Sequence, residues 1–260
     1  VPWQLSGIQG SIGAHTLEDV LSPGLEAQPL AAGDAAQCRI PGIEAEDSHE
    51  RLRAVIEPLL LPDQPNWVML PFSEQDQRLA WENCLGDRAE IGFGRGWSAL
   101  AMSQLNRLGT LGRVIAARMT GADEMDVEAV VALDWTPSDK GLELAFSQVD
   151  GRPEGGTDPG DLIRKGMEVD SQPEALLCPG NGSDGFMEQL VPAFPALGDW
   201  VQPEVRWLFP EASMGALGVP GSLLGWAWLA QGYRLGEFTG TTVILAMDEG
   251  ALVGLSLVTQ

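Results

Sequence analysis

Twice in this 260-residue sequence a glycine-rich turn runs into a helix built largely of small and apolar residues, and each time an apolar strand follows. The first instance is Gly92 to Met102 (GFGRGWSALAM); the second is Met214 to Ala227 (MGALGVPGSLLGWA). Glycine allows the tight entry into such a helix, and small side chains let the helix lie close against a sheet or a second helix. Two helices of this kind, one in each half of the chain, point to a layered fold made by duplication.

The rest of the pattern agrees. Residues 1–12 read as a first strand, and residues 16–21 as a short helix with Thr16 as N-cap three residues before Asp19. Residues 22–42 are rich in Gly, Pro and Ala and read as a loop. A helix starts at Ser48 and runs to Leu61, with Leu52, Val55, Ile56, Leu59 and Leu60 on one face and Pro62 as its stop. Residues 66–72 form a short apolar strand, Ser73 opens a helix toward Cys84, and the Gly-rich stretch 91–96 leads into a helix over 97–108. A buried strand follows at 127–135.

After the turn at 136–141 the alternation starts again: strand 142–149, helix 159–165, strand 174–178, helix 184–191, strand 205–209 and a long helix 218–233. Two apolar strands, 241–247 and 251–258, close the chain around the hairpin turn Asp248, Glu249 and Gly250. Alternating strands and helices predict an α/β fold with mixed sheets covered by helices. The expected division is 1–140 and 141–260, two halves of one compact unit, which this length permits.

Lys and Arg total 15 against 37 Asp and Glu, a net charge of −22, so the field of the molecule repels nucleic acid and anionic lipid. Its two readings are solubility and attraction to a basic protein partner. Cys38, Cys84 and Cys178 are an odd number at wide spacing, which argues against a disulfide framework and against zinc-site spacing. No stretch is long and apolar enough to span a bilayer, and the expected location is cytoplasmic.

From residue 205 to residue 227 (VRWLFPEASMGALGVPGSLLGWA), and on through the terminal hairpin, the chain resembles the thiolase and β-ketoacyl-synthase superfamily. There a strand leads to a Gly-His-type motif, a small-residue helix and a closing hairpin. The resemblance implies two pseudo-repeated halves in an αβαβα arrangement. It also implies a thiolate nucleophile in the turn before the first-half helix, here Gly94, Arg95 and Gly96, where a helix N-terminus lowers a thiol pKa. Imidazoles from the second half would stabilise the developing oxyanion. The sequence departs from that pattern at both places. No cysteine lies between Cys84 and Cys178, the only histidines are His15 and His49, and the Gly-His position falls near Ser213 and Met214. Decarboxylative condensation loses nucleophile and imidazoles together.

Other motifs carry a bland reading beside a sharper one. Gly180 to Gly185 (GNGSDG) is a literal G-x-G-x-x-G after a strand, but no acidic strand end follows about 20 residues on, and a strand-to-helix loop capped by Asp184 explains it. Cys178, at a strand end, reads as a buried small hydrophobe rather than a nucleophile, since no base is near it in sequence. His15 and His49 lie in polar segments without a ligand cluster and read as surface residues. No cofactor and no metal is predicted. Trp226 and Trp228 lie two apart on one helix and face different sides. Either both faces are buried in the layers, or the pair belongs to a partner surface, where Trp is enriched.

The resemblance implies a catalytically inactive protein working through protein contacts as a homo- or heterodimer, the superfamily's usual state. It also resembles thiolase-like accessory proteins of type VI secretion, which implies an adaptor or chaperone for a secreted effector, a basic one given the charge. Two alternatives stay open: a non-catalytic partner subunit of an active β-ketoacyl synthase, and an acyl- or CoA-binding enzyme with chemistry moved to Cys178 or to carboxylates such as Asp199.

Overall fold

The computed structural model describes residues 2–21, 38–120, 127–151, 160–180, 190–191, 194–212, 214–247 and 252–260, without the side chains of Asp199, Val201 and Leu252. The expected loop at 22–37, most of the helix at 184–191, the turn at 248–250 and Ser213 lie outside the described residues.

Strand β1 (Trp3–Ile12) and the two-residue β2 (His15–Thr16) open the chain, and helix α1 (Leu17–Val20) follows with Thr16 as its N-cap, accepting from the Asp19 N–H at 3.2 Å. Helix α2 (Ser48–Ile56) is capped by Asp47, not Ser48, through hydrogen bonds from the N–H groups of His49 and Glu50. It also ends earlier than its periodicity suggests. Pro58 has no N–H to continue the helical ladder, so residues Glu57–Leu59 tighten into a 3₁₀ turn. Next come β3 (Asn66–Leu70), a 3₁₀ turn Phe72–Gln77, α3 (Arg78–Leu85), β4 (Glu90–Phe93), α4 (Trp97–Leu108), β5 (Gly112–Arg118) and β6 (Ala129–Pro137).

The second half holds β7 (Glu143–Gly151), α5 (Gly160–Val169), β8 (Ala175–Leu177), α6 (Phe194–Leu197), β9 (Arg206–Leu208), α7 (Val219–Leu235), β10 (Thr242–Met247) and β11 (Leu252–Thr259). The first sheet has the order β2-β1-β6-β5-β3-β4 and the second β7-β11-β10-β8-β9. With β2 set aside, the two orders are the same. In each sheet the last strand of the half pairs antiparallel with the first strand and with the fourth, and the fourth pairs parallel with the second, which pairs parallel with the third. Helix α4 occupies in the first half the place α7 occupies in the second. The duplicated turn-helix-strand pattern is therefore a duplicated topology.

Alternation along the strands sorts side chains into three cores. In β6, Ala129, Val131, Leu133 and Trp135 face the middle of the molecule, while Val130 and Ala132 face the outer core of the first sheet. In β11, Val253, Leu255 and Leu257 face the outer core of the second sheet. Both α4 and α7 lie in the middle layer, α4 mainly against β7 and β11, and α7 mainly against β5 and β6. Helices α2 and α5 cover the outer faces. Five layers result, with a central core around the middle helices and one core on the outer face of each sheet, the αβαβα arrangement.

Helix α7, lying between two sheets, is consequently apolar on nearly all sides as far as its last turns. Trp226 on α7 is 0% exposed and stands 5.9 Å from Trp3 and 6.1 Å from Trp135, which stack on each other at 3.6 Å. It offers no surface to a partner, contrary to one of the two expectations. Trp228 is half-buried against the same central core. Both helix faces meet protein, so two tryptophans two residues apart can both pack inward.

Among the described residues no helix is long and apolar enough to cross a membrane.

Candidate active site

The N-termini of α4 and α7 mark the place where the resemblance puts nucleophile and imidazoles. Strand β4 ends at Phe93, and Gly94, at φ 88°, turns the chain so that α4 can start, its N–H held by the Leu70 carbonyl at 2.9 Å. A side chain at that φ would be strained. Gly96 is the N-cap and contributes no side-chain cap. Its carbonyl is pressed on β11: a Cβ on Gly254 would come within 2.7 Å of it and 2.9 Å of the Ala99 Cβ. The entry to α4 thus rests directly on the second sheet, with no room for a bulky group on that side.

Between those two glycines, Arg95 turns inward and is 2% exposed. Its guanidinium forms a two-pronged ion pair with Glu211, Nη1 to Oε1 at 2.6 Å and Nη2 to Oε2 at 3.0 Å. Glu211, 1% exposed, follows β9 and Pro210. Its Oε1 also accepts from the Gly180 N–H at 2.9 Å, and its Oε2 from the Leu217 N–H at 2.6 Å. Gly221, in the first turn of α7, leaves space for this carboxylate, since a Cβ there would lie 2.3 Å from Glu211 Cδ. One carboxylate therefore ties together the exit of β8, the turn after β9, the approach to α7 and the entry to α4. The positive end of α7 adds to its stabilisation.

Such a pair satisfies both charges internally, as burial requires. It also fills the space. The cavity bounded by Arg95, Cys178, Gly221 and Ser222 measures about 10 Å³, at the limit for holding one water molecule and far below the roughly 300 Å³ at which ligand pockets begin. Met214 is 4% exposed, its N–H bonded to the Glu211 carbonyl at 3.0 Å, and packs in the central core. The structure brings Gly94, Arg95, Gly96 and Met214 to one place; Ser213 is outside the described residues.

Cys178 lies on the wall of the same cavity, which its position in sequence does not reveal. Burial pushes its thiol up from the ordinary 9.0 to about 12. At neutral pH the reactive thiolate is then about one part in 10⁵. The shift has a stability consequence. Above pH 9 the unfolded chain loses a proton that the folded chain keeps, so stability falls by about 1.4 kcal/mol per pH unit between pH 9 and pH 12. Urea unfolding at pH 8 and pH 10.5 should show the parent losing about 2 kcal/mol more than Cys178→Ala; equal losses would place the thiol in contact with water.

His49 is not a plain surface residue. Its Nδ1 lies 3.3 Å from Glu74 Oε2, its ring is 4.2 Å from that of Trp81, and Trp81 Nε1 donates to the same carboxylate oxygen at 3.0 Å. These residues belong to the outer side of the first half and take no part in the Arg95 site. Gly180, the first glycine of the G-x-G-x-x-G motif, has its N–H engaged by Glu211, so it is not offered to a phosphate; the rest of that motif lies outside the described residues. No group of three or more His, Cys, Asp or Glu side chains fit to hold a metal occurs among the described residues.

Known folds decide what this architecture is. A Cys→Ser variant of OleA from Xanthomonas campestris, solved with lauric acid and lauroyl-CoA, matches with a TM-score of 0.52 at 13% identity, covering 100% of this chain and 99% of that one. The fold is thiolase-like. Acetamide-bound OleA matches with a TM-score of 0.54 at 12% identity over 100% and 99% of the two chains. The 3-oxoacyl-[acyl-carrier-protein] synthase III of Aquifex aeolicus VF5 matches with a TM-score of 0.47 at 13% identity over 75% and 77%. No family model matches the sequence, and no curated protein matches it.

Glu211 and Gly221 were not singled out by the sequence. The available signal was an arginine enclosed by glycines at a helix entry in the first half, and a single acid, Glu211, between residue 205 and the end of α7.

Proposed function

We propose that this chain keeps the thiolase-like fold without condensing chemistry and acts through contact with other proteins. The observation that carries the proposal is the Arg95–Glu211 pair, which occupies the junction of the two central helix N-termini. A guanidinium is no nucleophile and stays protonated. No cysteine stands in the turn before α4, and no histidine follows His49. The net charge of −22 favours a basic partner, and a basic secreted effector that needs an adaptor or chaperone, of the kind associated with type VI secretion, fits that charge. A second thiolase-like chain is the other candidate partner, as homo- or heterodimer. In its favour, β4 is the last strand of its sheet, and Leu79, on the helix before it, is 75% exposed.

A second reading, an acyl-binding enzyme using Cys178, is favoured by that thiol's place beside Arg95 and opposed by its raised pKa. Affinity purification of the tagged chain from its native cells tests the leading reading. A basic protein without condensing activity is the expected co-purifying partner. Stoichiometric recovery of an active condensing enzyme would assign a subunit role instead.

A further inference from the structure

The geometry points to a binding site for a small amphipathic carboxylate at the opposite end of α7 from the Arg95–Glu211 pair. A pocket of about 370 Å³ opens there between β1, the turn that joins the two sheets and the last turns of α7. That volume is within the range of small-molecule sites, and along α7 nine residues, about 14 Å, separate Gly221, which faces Glu211, from Ala230 on the pocket wall. The inference does not depend on whether the chain condenses acyl groups.

Its walls combine two kinds of side chain. Leu5, Leu142 and Ala230 supply its apolar part, with the almost fully buried Trp3 and Tyr233 also bordering it. Lys140 and Arg234, both exposed, supply positive charge. In a chain with 37 acids and 15 bases, cations should readily find carboxylates, and nine arginines among the described residues do, Arg51, Arg95 and Arg113 with both partners largely buried. Lys140 and Arg234 have no carboxylate at salt-bridge distance among the described residues; Arg234 bonds only the neutral Gln231. Two cations without a carboxylate partner among the described residues, both on one pocket, are available to pair with an anionic ligand. The apolar walls would cover its body.

The pocket is also held in a fixed shape. Trp3 and Leu142 exchange backbone hydrogen bonds of 2.8 and 2.7 Å, bridging the two sheets, and a Cβ on Gly141 would come within 2.0 Å of the Trp3 carbonyl oxygen. The cationic turn is therefore pinned against β1 before any ligand arrives.

Isothermal titration with 4-phenylbutyrate and with the uncharged 4-phenylbutanol tests the inference on the whole chain. The carboxylate should bind at least tenfold more tightly than the alcohol. Lys140→Gln/Arg234→Gln, two exposed positions, should weaken carboxylate binding at least tenfold without changing the thermal midpoint. Ala230→Phe should abolish binding of both by filling the pocket. Absence of carboxylate binding at millimolar concentration, equal affinity for the alcohol, or binding unchanged in the Lys140→Gln/Arg234→Gln variant would overturn the site.

Discussion

Glu211→Ala is expected to lower the unfolding free energy by about 3–5 kcal/mol, the effect of leaving a buried charge without its partner. The group that loses its two-pronged carboxylate is the Arg95 guanidinium, 2% exposed. The same substitution orphans the N–H groups of Gly180 and Leu217, each of which adds a desolvation penalty. Arg95→Met should cost less, because the carboxylate it leaves behind still accepts from those two N–H groups at the positive end of α7. Glu211→Gln should fall between the parent and Glu211→Ala, since its amide keeps the size and one acceptor oxygen. In a chain of this length each kcal/mol moves the thermal midpoint by about 2–4 °C, so Glu211→Ala should melt about 10 °C below the parent. Urea unfolding measures the order directly. A loss under about 1 kcal/mol for Glu211→Ala, the range of exposed ion pairs, would mean that the pair is open to solvent.

Trp226→Ala should be comparably damaging, at about 3–5 kcal/mol for removing a large aromatic side chain from a packed core. Trp226 is the one tryptophan of the trio that comes from α7, while Trp3 and Trp135 belong to adjacent strands of the first sheet. Its removal therefore loosens the seam between the central helix and that sheet. Trp228→Ala, at a half-buried position, should cost distinctly less. Denaturant unfolding of the two variants checks this, and equal losses would contradict the packing described for α7.

Much of the fold could be read from the residues because local signals and tertiary packing agree there. Thr16 caps α1, the glycine-rich entries start α4 and α7 where expected, and both terminal strands are predominantly apolar. Signals failed where one residue type served two ends. Gly92 reads as part of a loop, yet it lies within β4, and it is glycine because a Cβ would come within 2.3 Å of the Trp97 ring. Strand β5, with Val114 and Ala116 facing one core and Ile115 and Ala117 another, has no polar face and so no alternation to reveal it. For α2 the apolar period continues beyond the point where Pro58 stops the helix.

At the candidate site the inventory was legible and the replacement was not. The lack of histidine after His49 can be counted from the sequence. That an arginine in the first half meets a glutamate 116 positions later requires the fold, because only the duplicated topology brings the entries of α4 and α7 together. Cys178 shows the same limit: the sequence places it at a strand end, while its burial comes from the outer core of the second sheet, with Leu162, Ile163 and Trp200.

The most direct test of the central claim is intact-mass spectrometry of the purified chain after incubation with lauroyl-CoA at neutral pH. The account predicts an unchanged mass, because Arg95 and Glu211 fill the junction and the Cys178 thiol is held protonated. A stoichiometric single acyl adduct, mapped by peptide analysis to Cys178 or to another cysteine, would contradict it.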